Sequence, residues 1–170
     1  RIFFIPALSE HVGLSDFKLT NGKKGLHVRL SSDVRITDMN ISNLLDVMTA
    51  IGYSGYLCEN QQIENSLINN VTSPRKATGI YIGQAMGDIR ILDTEISNCS
   101  SGEWMPTLQI DSIDEADVLI DGCRFHNNNS SAPDVWNSIF QIGPFNDVYS
   151  QRLGIEINNS AFYNNHQSNS

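Results

Sequence analysis

Short segments in which apolar and polar residues alternate recur along the chain. In the clearest of them, Leu26, Val28 and Leu30 alternate with His27 and Arg29. A period of two predicts a β-strand with one face in the core and one face in solvent. Similar segments follow at Ile80–Gly83, Leu108–Asp111 and Phe140–Gly143, with a weaker match at Tyr56–Glu59.

A ten-residue unit, distinct from these strands, occurs six times without internal gaps. Its third residue is always Leu or Ile, its eighth is Leu, Ile or Phe, and its tenth is always Asn. The pattern predicts two more short strands, at positions one to four and seven to nine of each copy. Copies one to six are Val12–Asn21, Val34–Asn43, Gln61–Asn70, Ile89–Asn98, Val118–Asn127 and Ile155–Asn164.

The spacing of the copies distinguishes between kinds of repeat. Successive tenth-position asparagines are 22, 27, 28, 29 and 37 residues apart. A helical array would keep a nearly fixed period, whereas a fixed unit with connectors of variable length is typical of a solenoid of strands. Each strand would pair with its equivalent in the next copy at about 4.8 Å, and like residues would form columns. The sequence therefore predicts an all-β fold with about three strands per copy.

The asparagine at position ten has a structural interpretation. A buried amide in a sharp bend needs hydrogen-bond partners. Asparagines stacked on one another supply such partners to their neighbours and to the bend, as in other stacked β-structures. We therefore expect the six asparagines to form a buried ladder with a structural role.

The repeat resembles the right-handed parallel β-helix family that includes pectate lyases and phage tailspikes. The resemblance covers the chain as one domain, residues 1–170, and implies a single-stranded right-handed parallel β-helix of about six turns. It also implies polysaccharide ligands, since members include lyases, hydrolases, epimerases and virion spikes that bind or cut bacterial glycans. Many such spikes are homotrimers, so we expect a homotrimer located in a virion tail or outside the cell.

The two ends of the chain depart from the family pattern. Members usually cap the first turn with an amphipathic helix, and no helical pattern precedes the first copy. The chain also begins without Met. We therefore expect an internal portion of a longer protein, with further chain or partner chains covering the ends.

Charge narrows the classes of partner. The chain has 11 basic and 19 acidic residues, for a net charge of −8. This balance argues against nucleic acid as a partner, because a nucleic-acid binder needs a basic face. It also argues against a polyanionic substrate unless Ca²⁺ bridges the two. An acidic surface has a simpler interpretation as well, since it keeps a β-rich protein soluble.

Cysteine content and hydropathy exclude further classes. The three cysteines, Cys58, Cys99 and Cys123, cannot all pair within one chain, and their spacing matches no zinc motif. We expect them to pack as small apolar residues, in a chain that folds under reducing conditions. The chain has no apolar run of about 18 residues, which argues against membrane insertion. No cofactor or metal is predicted.

Outward residues of the strands that precede the copies should form a surface column. Sugars suit such a column, because aromatic rings stack on their C–H faces and amides bond their hydroxyls. The predicted members are His27, Arg29, Leu57, Glu59, Tyr81, Gly83, Gln109, Asp111, Gln141 and Gly143. The predicted substrate-binding residues are His27, Arg29, Tyr81, Gln109 and Gln141, with Trp104 and Trp136 in long connectors as rings that either stack on sugar or cover the core.

Two carboxylates of this column are candidates for catalysis. Glu59 and Asp111 would lie two strand spacings apart, about 9.6 Å, with Gly83 between them. Inverting glycosidases hold their two carboxyls roughly 6.5–9.5 Å apart to admit a water molecule. Asp114 lies close in sequence, and neighbouring carboxylates raise one another's pKa, so that one can remain a general acid. The alternative is a solvated strand face that ends in a polar turn.

Three classes of function stay open at this point. The first is a tailspike-like protein that recognises, and in one version hydrolyses, a bacterial surface polysaccharide. The second is a non-catalytic carbohydrate-binding or purely structural β-helix of a virion or a cell-surface adhesin. The third is a secreted polysaccharide lyase, which would need Ca²⁺ at acidic residues such as Asp111, Asp114, Glu115 and Asp117 and a basic residue as the catalytic base.

Overall fold

The fold is seen in a computed structural model, which describes residues 3–5, 10–23, 25–29, 31–45, 50–54, 58–73, 79–101, 107–130, 140–144 and 153–167. All the regular structure in these ranges is β. The described residues contain no helix, and so none that could cross a membrane.

The described strands are short, apart from two long ones that each run from a preceding strand into a copy of the unit. The strands are β1 Phe3–Ile5, β2 Gly13–Ser15, β3 Lys18–Thr20, β4 Leu26–Arg29, β5 Arg35–Thr37, β6 Asn40–Leu45, β7 Ile51–Ser54, β8 Cys58–Glu64, β9 Leu67–Ser73, β10 Ile80–Leu92, β11 Glu95–Ser97, β12 Ser100–Ser101, β13 Leu108–Asp121, β14 Arg124–His126, β15 Asn129–Ser130, β16 Phe140–Pro144, β17 Leu153–Asn158, β18 Ala161–Tyr163 and β19 His166–Gln167.

These strands form two sheets, and every described pairing between them is parallel. One sheet has ten strands and holds the strands that precede the copies together with positions one to four of each copy. The other has nine strands and holds positions seven to nine together with residues that follow position ten, as in β12, β15 and β19. Adjacent copies lie in register, so that like positions pair from one copy to the next. An all-β fold of long parallel sheets is consistent with the predicted solenoid.

The core consists of columns of apolar side chains, as the repeat predicts. Third-position Ile36 pairs with Ile63, and Ile91 pairs with both Ile63 and Ile120. All four are fully buried, as are the eighth-position residues of copies two to four. In copy six the equivalent Ile157 is 44% exposed, because no described strand covers that edge of the sheet.

The structure corrects the predicted strand before copy three. That strand was expected at Tyr56–Glu59, but the segment between β4 and β10 is β7, Ile51–Ser54. Gly52 pairs with His27 on one side and with Tyr81 on the other. A glycine at the outward position weakens the alternation of side chains by which such a strand is recognised in a sequence. The other four predicted strands are confirmed within β4, β10, β13 and β16.

The structure also corrects the environment of the six recurrent asparagines. They were expected to be buried, but all six are exposed. Their φ angles lie between 51° and 56°, in the left-handed region that asparagine tolerates better than most residues. Backbone conformation is therefore the reason why asparagine recurs. A ladder bond is present between two copies, where Asn70 Nδ2 donates to Asn43 Oδ1 at 2.7 Å.

Buried polar contacts between copies occur one residue later. Asn128 is fully buried, and its Nδ2 donates to the Ile96 carbonyl at 2.9 Å. Its Oδ1 accepts from the Cys99 backbone N–H at 3.0 Å. Asn165, the equivalent residue of copy six, accepts from both the backbone and the side chain of Asn128. The buried amide ladder is thus formed at position eleven and joins copies four to six.

Candidate functional site

The outward column of the first sheet is the surface that the sequence predicts as a site. In register from copy to copy it contains His27, Gly52, Tyr81, Gln109 and Gln141. The strands, which pair directly with one another, fix these positions at one spacing per copy. Tyr81, Gln109 and Gln141 therefore lie side by side, as predicted, whereas His27 lies three spacings from Gln109, about 14 Å.

The predicted acid pair is not formed. Glu59 lies in β8, where it pairs with Met86 and makes a bridge with Ser32. Asp111 pairs with Gly83 and Gly143 in the column. Glu59 is exposed and does not lie beneath Gly83, so the predicted pairing of Glu59 with Asp111 is wrong. The error follows from the strand before copy three, whose shift removes Glu59 from the column. Leu57 lies outside the described residues.

Asp111 has an unusual environment for a carboxyl group on an outward position. It is only 8% exposed, and the Nε2 atom of Gln109 lies 3.0 Å from each of its oxygens. Tyr81 donates a further hydrogen bond to it. Burial raises the pKa of the Asp111 carboxyl, and the two hydrogen bonds offset only part of that rise.

Glycines on both sides of Asp111 shape the space around it. Below it, the ring of Tyr81 covers Gly83, where an added Cβ would clash with the tyrosine hydroxyl oxygen. A larger residue at 83 would therefore displace Tyr81 from Asp111. Above it, a Cβ at Gly143 would meet none of the described residues within 4 Å. The carboxyl is thus closed on the Tyr81 side, and the described residues leave space on the Gly143 side.

Two amide oxygens of this column have no hydrogen-bond partner among the residues that the structure describes. Gln109 is 5% exposed, and its Oε1 atom is buried and unpaired. The Oε1 atom of half-buried Gln141, the next residue in the column, is also buried and unpaired. Buried polar atoms are normally paired, so these two are places where a ligand or water would donate. We call Tyr81, Gln109, Asp111 and Gln141 the acceptor cluster.

The remaining predicted site residues are not brought into this cluster. Half-buried His27 lies on the column but at a distance. The backbones of Arg29 and Asp114 lie in β4 and β13, and their side chains are outside the described part of the chain. Trp104 and Trp136 also lie outside the described residues. Their predicted roles stay predictions.

A concave surface on the same sheet, separate from the acceptor cluster, was missed from the sequence. It is a cleft of about 380 Å³ whose lining includes Asp88, Arg90, Asp117 and Glu156. Asp88 pairs with Asp117 on the next copy, and Arg90 Nη2 contacts Asp88 Oδ2 at 3.0 Å. Within the part of the chain that the structure describes, no group of three or more His, Cys, Asp or Glu residues is arranged to hold a metal ion.

A polar cluster on the second sheet was also missed. Glu95 Oε2 contacts Arg124 at 3.2 Å, and its Oε1 contacts His126 Nε2 at 3.3 Å. Ser97 donates to the same Oε1 at 3.1 Å, and the His126 ring stacks on Tyr163. Both oxygens of Glu95 are thus occupied by partners within the chain, so the cluster links copies four to six.

The described thiols are structural. Cys99 and Cys123 are free and buried, as expected for residues that pack as small apolar groups. Burial raises the pKa of the Cys99 thiol to about 12 and that of the Cys123 thiol to about 11. Both stay protonated at neutral pH and cannot act as nucleophiles. The side chain of Cys58 lies outside the described part of the chain.

The raised pKa of Asp111 predicts a pH-dependent stability. Because the folded-state pKa lies above the ordinary value of 3.8, the stability that the protonated form contributes is lost as pH rises through the folded-state pKa. Asparagine resembles the protonated acid. The free energy of unfolding measured in urea should therefore be higher for Asp111→Asn than for the wild type at pH 7. This difference should decrease as the pH is lowered toward 3.8.

The matched control for this experiment is Glu10→Gln, a carboxyl-to-amide change at an exposed residue. It should change stability by no more than about 0.5 kcal/mol across the same pH range. A difference between Asp111→Asn and the wild type that does not vary with pH would contradict the burial argument.

Comparisons with known proteins give no further constraint. The chain matches no protein-family model, no curated protein and no solved structure.

Proposed function

We propose that this chain is a right-handed parallel β-helix of about six turns from a tailspike-like protein, and that its acceptor cluster binds a bacterial surface polysaccharide. Support comes from one observation above all. A buried carboxyl and two amide oxygens that have no partner among the described residues share the outward face of a sheet with an aromatic ring, and no described residue comes within 4 Å of a Cβ added at Gly143. Sugars present hydroxyl donors and C–H faces that complement such a surface.

The register of the sheet also supports a chain-like ligand. Tyr81, Gln109 and Gln141 come from three adjacent copies and repeat at the strand spacing of about 4.8 Å. Their side chains therefore form a row across the strands, along which an extended polymer can make repeated contacts. A compact ligand would use one contact of this row.

Binding is tested with purified capsular polysaccharides and O-antigens immobilised on a surface. The wild-type chain should be retained by at least one of them, and Gln141→Ala should weaken that binding about tenfold, the effect of losing one well-placed hydrogen bond. Gln141 is half-buried, so its replacement disturbs the fold less than a change at Gln109 or Asp111. Glu10→Gln is the matched surface control.

Two results would contradict the proposal. Absence of binding to every polysaccharide would leave the purely structural interpretation. Binding that Gln141→Ala and Tyr81→Ala leave unchanged would show that the site lies outside the acceptor cluster.

Light scattering of the same protein tests the homotrimer that the resemblance implies.

Hydrolysis is a second candidate, favoured by the environment of Asp111. Burial raises the pKa of the Asp111 carboxyl, which favours the proton uptake that a general acid requires. Glu59 is not placed to be its partner, so the base would be another group, and Asp114, the third predicted catalytic carboxylate, is proposed for that role. Mass spectrometry of the incubated polysaccharide should then detect oligosaccharides that Asp111→Asn no longer releases. An unsaturated product would indicate a lyase instead.

A further inference from the structure

The chemistry of the acceptor cluster limits which sugars it can hold. We propose, on the basis of the function proposed above, that the cluster binds polysaccharides of neutral or amino-bearing sugars through the ligand's own hydrogen-bond donors and discriminates against sugars that carry a carboxylate.

The first support is the balance of donors and acceptors. The unpaired polar atoms of Gln109 and Gln141 are both carbonyl oxygens, which only accept. Two of the cluster's three side-chain donors, Gln109 Nε2 and the Tyr81 hydroxyl, already point at Asp111, and the third is Gln141 Nε2. The two oxygens therefore need donors from the ligand, as hydroxyl, amino and N-acetyl groups supply. A carboxylate supplies none and would leave the two buried oxygens unpaired.

The negative charge of Asp111 also favours neutral and amino-bearing ligands. Asp111 accepts hydrogen bonds from Gln109 and Tyr81, and among the described side chains of this column the nearest residue that can be cationic is His27, three strand spacings or about 14 Å from Gln109. A ligand carboxylate beside Asp111 would place like charges together in a poorly hydrated place. An amino group there would instead find an opposite charge.

The third support is the direction of access. Tyr81 covers Gly83 and closes the lower side of Asp111, whereas no described residue comes within 4 Å of a Cβ added at Gly143. A ligand that enters over Gly143 approaches Asp111 and Gln141, because Gly143 pairs with Asp111 and Gln141 belongs to the same strand. The group of the sugar that enters first therefore faces acceptors.

The test sorts the purified polysaccharides by composition into neutral, amino-bearing, and uronic- or sialic-acid-bearing polymers. The wild-type chain should bind members of the first two classes, and acid-bearing polymers at least about tenfold more weakly. Chemical reduction of the carboxylates in an acid-bearing polymer should recover binding. Asp111→Asn should narrow the difference between the classes, because it removes the negative charge, and Glu10→Gln should not.

The outcomes separate this inference from the function on which it rests. Acid-bearing polymers that bind as tightly as the others, or more tightly, would overturn the inference and leave polysaccharide binding in place. Absence of binding in all three classes would overturn both. If Asp111→Asn fails to fold, as judged by circular dichroism, the inference is still tested by the binding of the wild type to the three classes and to the carboxyl-reduced polymer.

Discussion

Replacement of Ile91 by alanine should lower the free energy of unfolding by about 2–5 kcal/mol. Ile91 is fully buried at the third position of copy four, and its strand neighbours Ile63 and Ile120 are buried in the same column. The strands on both sides are held by parallel backbone pairing, so the column cannot collapse readily into the cavity. Urea unfolding followed by circular dichroism measures the change.

Leu92→Ala provides the matched control for this experiment. Leu92 is the next residue of β10, is half-buried, and lies on the opposite face of the strand. Leu92→Ala should lower the free energy of unfolding by about 1 kcal/mol, because the half-buried side chain removes less apolar area from water than Ile91 does. Equal losses at the two positions would contradict the alternation that places the third residue of each copy in the core.

The second large effect is expected at Asn128. Asn128→Ala should lower the free energy of unfolding by about 2–4 kcal/mol, since two buried backbone groups lose their partners at once. These groups are the Cys99 N–H and the Ile96 carbonyl. Asn165 Oδ1 would also lose the hydrogen bond that it accepts from the Asn128 side chain. The same unfolding measurement tests this prediction.

The adjacent Asn127 is a stringent control, because it is the same residue type in a different role. Asn127 is exposed, with φ 54°. Glycine adopts this conformation without a steric penalty, so Asn127→Gly should cost no more than about 0.5 kcal/mol. A larger loss for Asn127→Gly than for Asn128→Ala would reverse the roles that the structure gives to the two residues.

The architecture follows from the sequence because one pattern specifies both the strands and their pairing. Alternating residues identify which side of a strand is buried, and recurrence of the pattern identifies the neighbour with which it pairs. The stacking of Ile63, Ile91 and Ile120 could therefore be predicted from their shared position in the copies. Handedness requires knowledge of the path between strands, and the pattern carries no information on it.

The candidate site could be predicted only in part, for a reason of register. A parallel strand that shifts by one residue presents the other set of side chains. The strand before copy three has Gly52 where its neighbours have His27 and Tyr81, so its outward position carries no side chain to identify it. Glu59 was placed in the column for that reason. Gln109 and Asp111, on a strand with clear alternation, were placed correctly.

The recurrent asparagines illustrate a different ambiguity. A left-handed backbone corner and a buried amide both favour asparagine, and the sequence alone does not separate the two requirements. The structure assigns the first to Asn127 and the second to Asn128. A signal was present in the sequence, since Asp or Asn also occupies the fifth position of five copies, where the residues have positive φ as well.

The independence of connector length and register has an evolutionary consequence. Connectors differ enough that successive asparagines are separated by between 22 and 37 residues, yet like positions remain paired across copies. Insertions in a connector therefore leave the spacing of the outward row unchanged. Outward residues can be replaced singly, or a loop beside them lengthened, without repacking the interior. A fold of this kind can therefore acquire a new ligand preference by a few surface substitutions that leave its stability nearly unchanged.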